Sequence, residues 1–449
     1  MASGKVQIAQ VYRGTFLHST QNAPLEILED RILGVGTDGK ISFIESAEKT
    51  DSLSETWGFQ ISDMQQLGSS EFFMPGLIDT HIHAAQYSFM GTALDLPLLQ
   101  WLETYTFPEE YKFRNLDYSR NVYTKVVERT LSNGTTTACY FASIYTDSSL
   151  LLGEIAAKFG QRALVGKVCM DVNDSLEDYR ETTEESQEET YRFITELLNR
   201  NYPLVKPIIT PRFAPSCTSG LLRQLGEMAE DNDLHVQSHI SETKDEMELV
   251  KTLFLEAQSY TDVYLNHGLL TSKTVMAHGC HLTDDELVIF RDTGASIAHC
   301  PNSNISLCSG MLDVRNVLKH NVKLGLGTDI AGGCSVSMLD AIRRTMETSK
   351  ALKINNPEHE CLCIDEVFRL ATLGGSQALS LDKETGNFEV GKDFDALRID
   401  PTASESPFDV FSDDDIKIIL EKFLYLGDDR NIKEVFVAGR RVVPFGDPI

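Results

Sequence analysis

Eight apolar, β-rich runs, each followed by a stretch of helical period, occupy the middle of this chain, and that alternation leaves few architectures open. The runs are FFMPGLIDTHIH, TTTACYFA, RALVGKVCMD, LVKPIITPRF, LHVQSHIS, TVMAHGC, SIAHCPNS and VKLGLGTD. Amphipathic stretches such as EESQEETYRFITELLN and SMLDAIRRTMETSK stand between or after them. Eight strand and helix units in series predict an α/β fold, a (β/α)8 TIM-like barrel, with an open doubly wound sheet as the alternative. Polar residues gather at the C-terminal ends of the runs, where barrel active sites are built, and this favours the barrel.

The two ends of the chain read differently. VQIAQVYRGTFLHS and EILEDRILGVGTDGKISFIES carry short β-rich runs and a DG turn, and the segment from GNFEVGKDFDALRID to IKEVFVAGRRVVPF repeats the pattern. They are expected to pair into one small β-sandwich domain, residues 1–75 with 383–449, enclosing the barrel at 76–382. The connection from Ala84 to about Asp117 is long enough to serve as a lid. The charge run TTEESQEET reads as a solvated helix start.

Charge narrows the partners. With 40 Lys and Arg against 67 Asp and Glu, the formal charge is −27, and so acidic a surface repels phosphate backbones and anionic lipid heads. Neither nucleic acid nor a membrane is expected as a partner. The opening residues lack the pattern of a secretory or transit signal, and no apolar run reaches membrane-spanning length, so a soluble, cytoplasmic protein is expected. Nine cysteines without a CxxC pair read as reduced, mostly buried thiols. The terminal Gly-Asp-Pro-Ile has only a faint likeness to a PDZ-type ligand, and its Pro works against strand addition.

The chemistry lies at four strand ends. His81 and His83 stand two apart, so a strand places both rings on one face, where a single metal ion accepts both. His239, His278 and Asp329 join them at the ends of other predicted strands. Imidazoles with a carboxylate suit Zn2+, and ligand type alone leaves Fe2+ open. Glu242, three residues past His239, reads either as a proton shuttle beside the metal or as an acid at the start of the next helix.

PGLIDTHIH, HISE, AHG and GTD in this order, flanked by the split sheet domain, resemble the amidohydrolase superfamily, and specifically its mononuclear-zinc deaminase branch. Further segments, among them DLPLLQWLETYTFPEE, TPRFAPSC, ASIAHCPNSN and GLGTDIAGG, are similar to members of the branch that act on guanine, and the likeness covers nearly the whole chain. The resemblance implies one Zn2+ per chain on His81, His83, His239 and Asp329, a proton shuttle at Glu242, and His278 beside the activated water. Substrate contacts fall by the same resemblance on His83, Ala84, Ala85, Gln86, Arg212, Phe213, His239, Glu242 and Asp329. Hydrolysis of guanine to xanthine and ammonia follows, with catalytic roles for Glu242, Asp329 and His278, and the family pattern implies a homodimer.

Each recognition residue has a plain alternative. Arg212 suits the O6 carbonyl of guanine but also a salt bridge at the barrel rim, Phe213 a purine ring but also the core, and Gln86 a mixed edge but also a loop backbone. Dinuclear relatives in the superfamily carry a bridging carbamylated lysine on the fourth strand; Lys206 falls at the start of that strand, which ends in Arg212, so the resemblance implies a single ion. His299, Asn302 and Asn304 frame the region without an assigned role.

Overall fold

The structure, a computed structural model, describes residues 6–446; the terminal Asp-Pro-Ile lies outside them. Eight parallel strands follow one another in chain order around the barrel. They are Leu77–His83, Thr135–Phe141, Arg162–Gly166, Val205–Pro211, His235–Ile240, Thr274–His278, Ser296–His299 and Lys323–Leu326. Val168–Cys169 continues the third.

The last strand returns to the first. Thr80 Oγ1 donates to the Leu326 carbonyl at 2.9 Å, and Asp329 N donates to the His81 carbonyl at 2.9 Å. A sheet whose first and last strands touch is a barrel, and the open alternative is excluded. Strands such as Thr135–Phe141 are buried at every residue, as both faces of a parallel sheet must be. Six strands send Ile78, Cys139, Leu164, Ile208, Ala277 and Ala298 into one cluster, the packed interior expected of this fold.

The chain ends join in one eight-stranded sheet. Ile8–His18, Glu26–Gly36 and Ile41–Ser46 pair antiparallel in turn, and the returning Ala396–Ile399, Ile432–Val437 and Arg440–Val443 do the same. Phe72–Pro75 joins the halves, parallel to the first strand and antiparallel to Ala396–Ile399. The run FFMPGLIDTHIH is therefore two strands, not one. The chain changes sheets at Gly76, where a Cβ would lie 2.0 Å from Thr136 Oγ1. Tyr12, Phe16, Phe73, Phe388, Phe394 and Phe436 pack as the small domain's aromatic core. Arg162, nearly buried, reaches from the third barrel strand to Asp393 at 2.7 Å and Asp395 at 3.1 Å, fixing one domain on the other.

The long connection is helical, and includes Leu98–Trp101 and Phe107–Glu110. Helix Thr183–Asn199 starts in a capping box between Thr182 and Glu185, so the acidic run is a solvated helix start. All nine cysteines are free, but four rather than most are buried, because Cys308, Cys334 and Cys363 fall in surface loops. No helix among the described residues is long and apolar enough to cross a membrane.

Candidate active site

His81 and His83 end the first strand, His239 lies near the end of the fifth, and Asp329 follows the eighth. Their ligand atoms all lie within 4.8 Å of one another. His83 Nε2 and His239 Nε2 face each other at 3.0 Å. His239 Nδ1 is 2.5 Å from the Arg212 carbonyl. A carbonyl only accepts, so the proton sits on Nδ1 and Nε2 offers a lone pair. Asp329 Oδ1 lies 3.1 Å from His81 Nε2 and 3.5 Å from His83 Nε2.

Buried lone pairs aimed at one another are unfavourable unless something cationic satisfies them. His81 Nε2 is buried without a hydrogen bond among the described residues. Three imidazole nitrogens and one carboxylate oxygen around a common point fit a metal ion, and the donor set fits zinc.

Electrostatics keeps the donors in their ligating forms. Burial, with His81 nearby, pushes His83 and His239 well below the usual imidazole range, so both are neutral near pH 7. Burial opposes the charge of Asp329, yet His81 and His278 beside it hold the carboxyl well below the usual range. Asp79 fixes the frame beneath: it accepts from Thr328 Oγ1 at 2.5 Å, Thr328 N at 3.0 Å and His81 N at 3.2 Å. An acidic residue inside an apolar strand was the sequence signal for it. Asp329 and His278 have φ of 45° and 74°, a left-handed conformation that non-glycine residues hold only where their surroundings demand it.

His278 ends the sixth strand. Its Nδ1 lies 2.8 Å from Asn304 Oδ1, while Nε2 stands 3.4 Å from Glu242 Oε2 and 3.7 Å from Asp329 Oδ2. Burial works against its protonation, but Glu242 and Asp329 outweigh it and hold the ring above its usual value. Glu242 is buried, accepts from Ser309 Oγ at 2.8 Å, and is raised by that burial to about 7. It does not cap the following helix. Thr243 and Glu246 form that capping box, with Glu246 also accepting from Glu242 N at 2.9 Å.

A cavity opens onto this cluster. Of the expected contacts, His83, Gln86, Arg212, Phe213, His239, Glu242 and Asp329 line it, as does His278. Ala84 and Ala85 are buried in the turn that carries Gln86. Leu98, Trp101 and Leu102 from the long connection, with Leu307 opposite, supply apolar wall.

Arg212 does form a buried ion pair, but deep in the site, not at the rim: Nη1 lies 2.5 Å from Glu110 Oε2. Burial disfavours the guanidinium's charge, and Glu110 more than offsets this. Sequence reasoning missed Glu110 as a site residue. Lys206 pairs with Glu384 at 3.0 Å, at the start of its strand. His299 is buried, and neither ring nitrogen has a hydrogen bond among the described residues. Asn302 bonds Asp340 at 2.5 Å.

The Amidohydrolase family pattern matches residues 72–442. Guanine deaminase of Homo sapiens is 59% identical over 446 residues, covering 98% of this chain and 98% of that protein. Guanine deaminase of Escherichia coli (strain K12) is 34% identical over 456 residues, 98% of this chain and 99% of that protein. The crystal structure of guanine deaminase from C. acetobutylicum, with guanine bound in its active site, superposes with a TM-score of 0.88 at 34% identity, covering 96% of this chain and 99% of that one. On the barrel, the strand-end histidines with Asp329, and these full-length matches, the chain belongs to the amidohydrolase family.

Proposed function

We propose that the protein hydrolyses guanine to xanthine and ammonia, with one zinc ion per chain held by His81, His83, His239 and Asp329. One observation carries the reading: the metal-ligating cluster, the buried Glu242 and the pair Gln86 and Arg212 all face a single cavity. The names of the full-length relatives support the substrate. A zinc ion there supplies Lewis acidity, which makes water nucleophilic near neutral pH.

The residues then divide the work. Arg212 donates to the O6 carbonyl of guanine, Gln86 offers a donor and an acceptor to the purine edge, and Phe213 packs against the ring. As water adds to C2, Asp329 takes the proton it releases, and Glu242 protonates ring nitrogen N3. Glu242, recharged by the proton of the new C2 hydroxyl, passes it to the amine nitrogen, ammonia leaves as the C2 carbonyl of xanthine forms, and the proton on Asp329 returns to Glu242 to restore the starting state. A carboxyl raised to about 7 gives and takes protons with little penalty at neutral pH. His278, oriented by Asn304, holds the water between Glu242 and Asp329.

The catalytic unit in this reading is the barrel, 76–382, and the composite domain is 1–75 with 383–449, a division supported by the change of sheet at Gly76. The chain works as a homodimer, which the family resemblance supports. Free thiols at all nine cysteines fit a reducing, cytoplasmic setting. Purified protein is incubated with guanine, adenine, cytosine and guanosine while ammonia is followed. Release from guanine alone is expected; equal release from cytosine or adenine would overturn the substrate assignment.

A further inference from the structure

A carboxylate that does not itself line the cavity governs the two residues that read the ligand. Glu110 ends the helix Phe107–Glu110 of the long connection and is 1% exposed. Its Oε1 accepts from Gln86 Nε2 at 2.9 Å and Arg212 Nη2 at 3.2 Å. Its Oε2 accepts from Arg212 Nη1 at 2.5 Å and the Tyr179 hydroxyl at 2.7 Å. Four donors from three other segments thus meet one carboxylate. Phe107, in the same helix, places its ring 5.0 Å from the guanidinium carbon.

The first consequence is geometric. Gln86 is clamped at both ends, its Nε2 on Glu110 and its Oε1 on Ala331 N at 3.0 Å. The amide can face only one way, and it shows the cavity one remaining N–H and one remaining lone pair. Arg212 is likewise held by both terminal nitrogens, so its other donors have a fixed direction.

The second consequence is electrostatic. A buried guanidinium without a partner attracts an anion. Paired with Glu110, the guanidinium presents little net charge to the cavity. The atom placed against Arg212 should then be a neutral carbonyl oxygen, not a carboxylate or a phosphate.

We propose that Glu110 is a positioning and specificity-determining residue: it orients Arg212 and Gln86 and cancels the guanidinium's charge, so that the site selects a neutral lactam carbonyl over an anionic group at the same position. The inference rests on the guanine reading above.

Its test uses the full-length, zinc-loaded protein and Glu110→Gln, which keeps the shape and removes the charge. Metal content should be unchanged, and kcat/KM for guanine should fall by about a hundredfold, mainly through KM, as expected of misplaced binding groups. Affinities for hypoxanthine and for purine-6-carboxylate are measured in parallel. Their ratio should move toward the carboxylate by at least about tenfold, because the guanidinium's charge is no longer cancelled. A purely structural Glu110 would not move that ratio.

If the variant does not fold, Tyr179→Phe decides, since it removes one hydrogen bond to Oε2 and leaves every charge in place. A rise in KM of about fivefold, the scale of one hydrogen bond, supports the proposal, and an unchanged KM overturns it. Wild-type protein that neither deaminates guanine nor binds hypoxanthine overturns the substrate assignment and this inference with it. Wild-type protein that does both, beside a folded Glu110→Gln variant with an unmoved ratio, overturns the inference alone.

Discussion

Glu242→Gln is expected to lower guanine turnover by at least about a hundredfold, the usual scale for a lost general acid. Metal content should stay at the wild-type level, because Glu242 is not among the four converging ligands. The fold should also persist, since Glu246 and Thr243 cap the neighbouring helix. A second signature comes from pH. In the folded, metal-free protein burial raises Glu242 from its ordinary 4.5 to about 7, so folding favours its protonated form. Its contribution to stability is full below about pH 4.5 and is lost as pH rises through 7. The Gln variant is always neutral and escapes that loss. Its advantage over metal-free wild type should therefore grow from near zero at pH 4.5 to on the order of 3 kcal/mol at pH 8. Wild-type turnover, or a stability difference that does not change with pH, would show that Glu242 is neither the shuttle nor a strained acid.

Removing the Arg212 side chain should cost the enzyme its substrate and leave its metal in place. His239 is held by the Arg212 main-chain carbonyl, and Arg212→Ala keeps that contact. Guanine kcat/KM should drop by about a thousandfold or more, because the O6 carbonyl loses its donor in a buried site. Glu110 is left without its charge partner, and an uncompensated buried charge destabilises by about 3–5 kcal/mol. Thermal denaturation should accordingly be run beside the kinetics. The same pocket should reject adenine in the wild-type protein by about ten-thousandfold, since adenine offers Arg212 an amine where guanine offers an acceptor. Unchanged kinetics in the variant, or adenine turnover equal to guanine, would remove Arg212 from recognition.

The reach of the sequence follows the range of the interactions involved. The eight runs that name the barrel are local patterns, and each became a strand because its β-branched and apolar residues are buried on both faces. His81 and His83 were legible because a strand's period of two puts them together, and His239, His278 and Asp329 because they end similar runs. The division of FFMPGLIDTHIH was harder to see: its two halves are equally apolar, and only the close approach of Thr136 to Gly76 shows where one sheet stops. Glu242 stood between two readings, although Thr243 and Glu246 already spelled the capping box that frees it. Glu110 was not legible at all. It lies 102 residues from Arg212, in a segment that read as a long, lid-like connection and as part of the family resemblance but gave no partner for any one of its acids, and the pairing exists only once that segment folds over the barrel mouth.

The most direct measurement titrates metal-free protein with zinc while ammonia release from guanine is followed and bound metal is counted by elemental analysis. Activity should rise in proportion to bound zinc and stop at about one ion per chain, the capacity of a single site with three histidines and one aspartate. Full activity without bound metal, or activity that climbs until two ions are bound, would contradict a single metal held by His81, His83, His239 and Asp329.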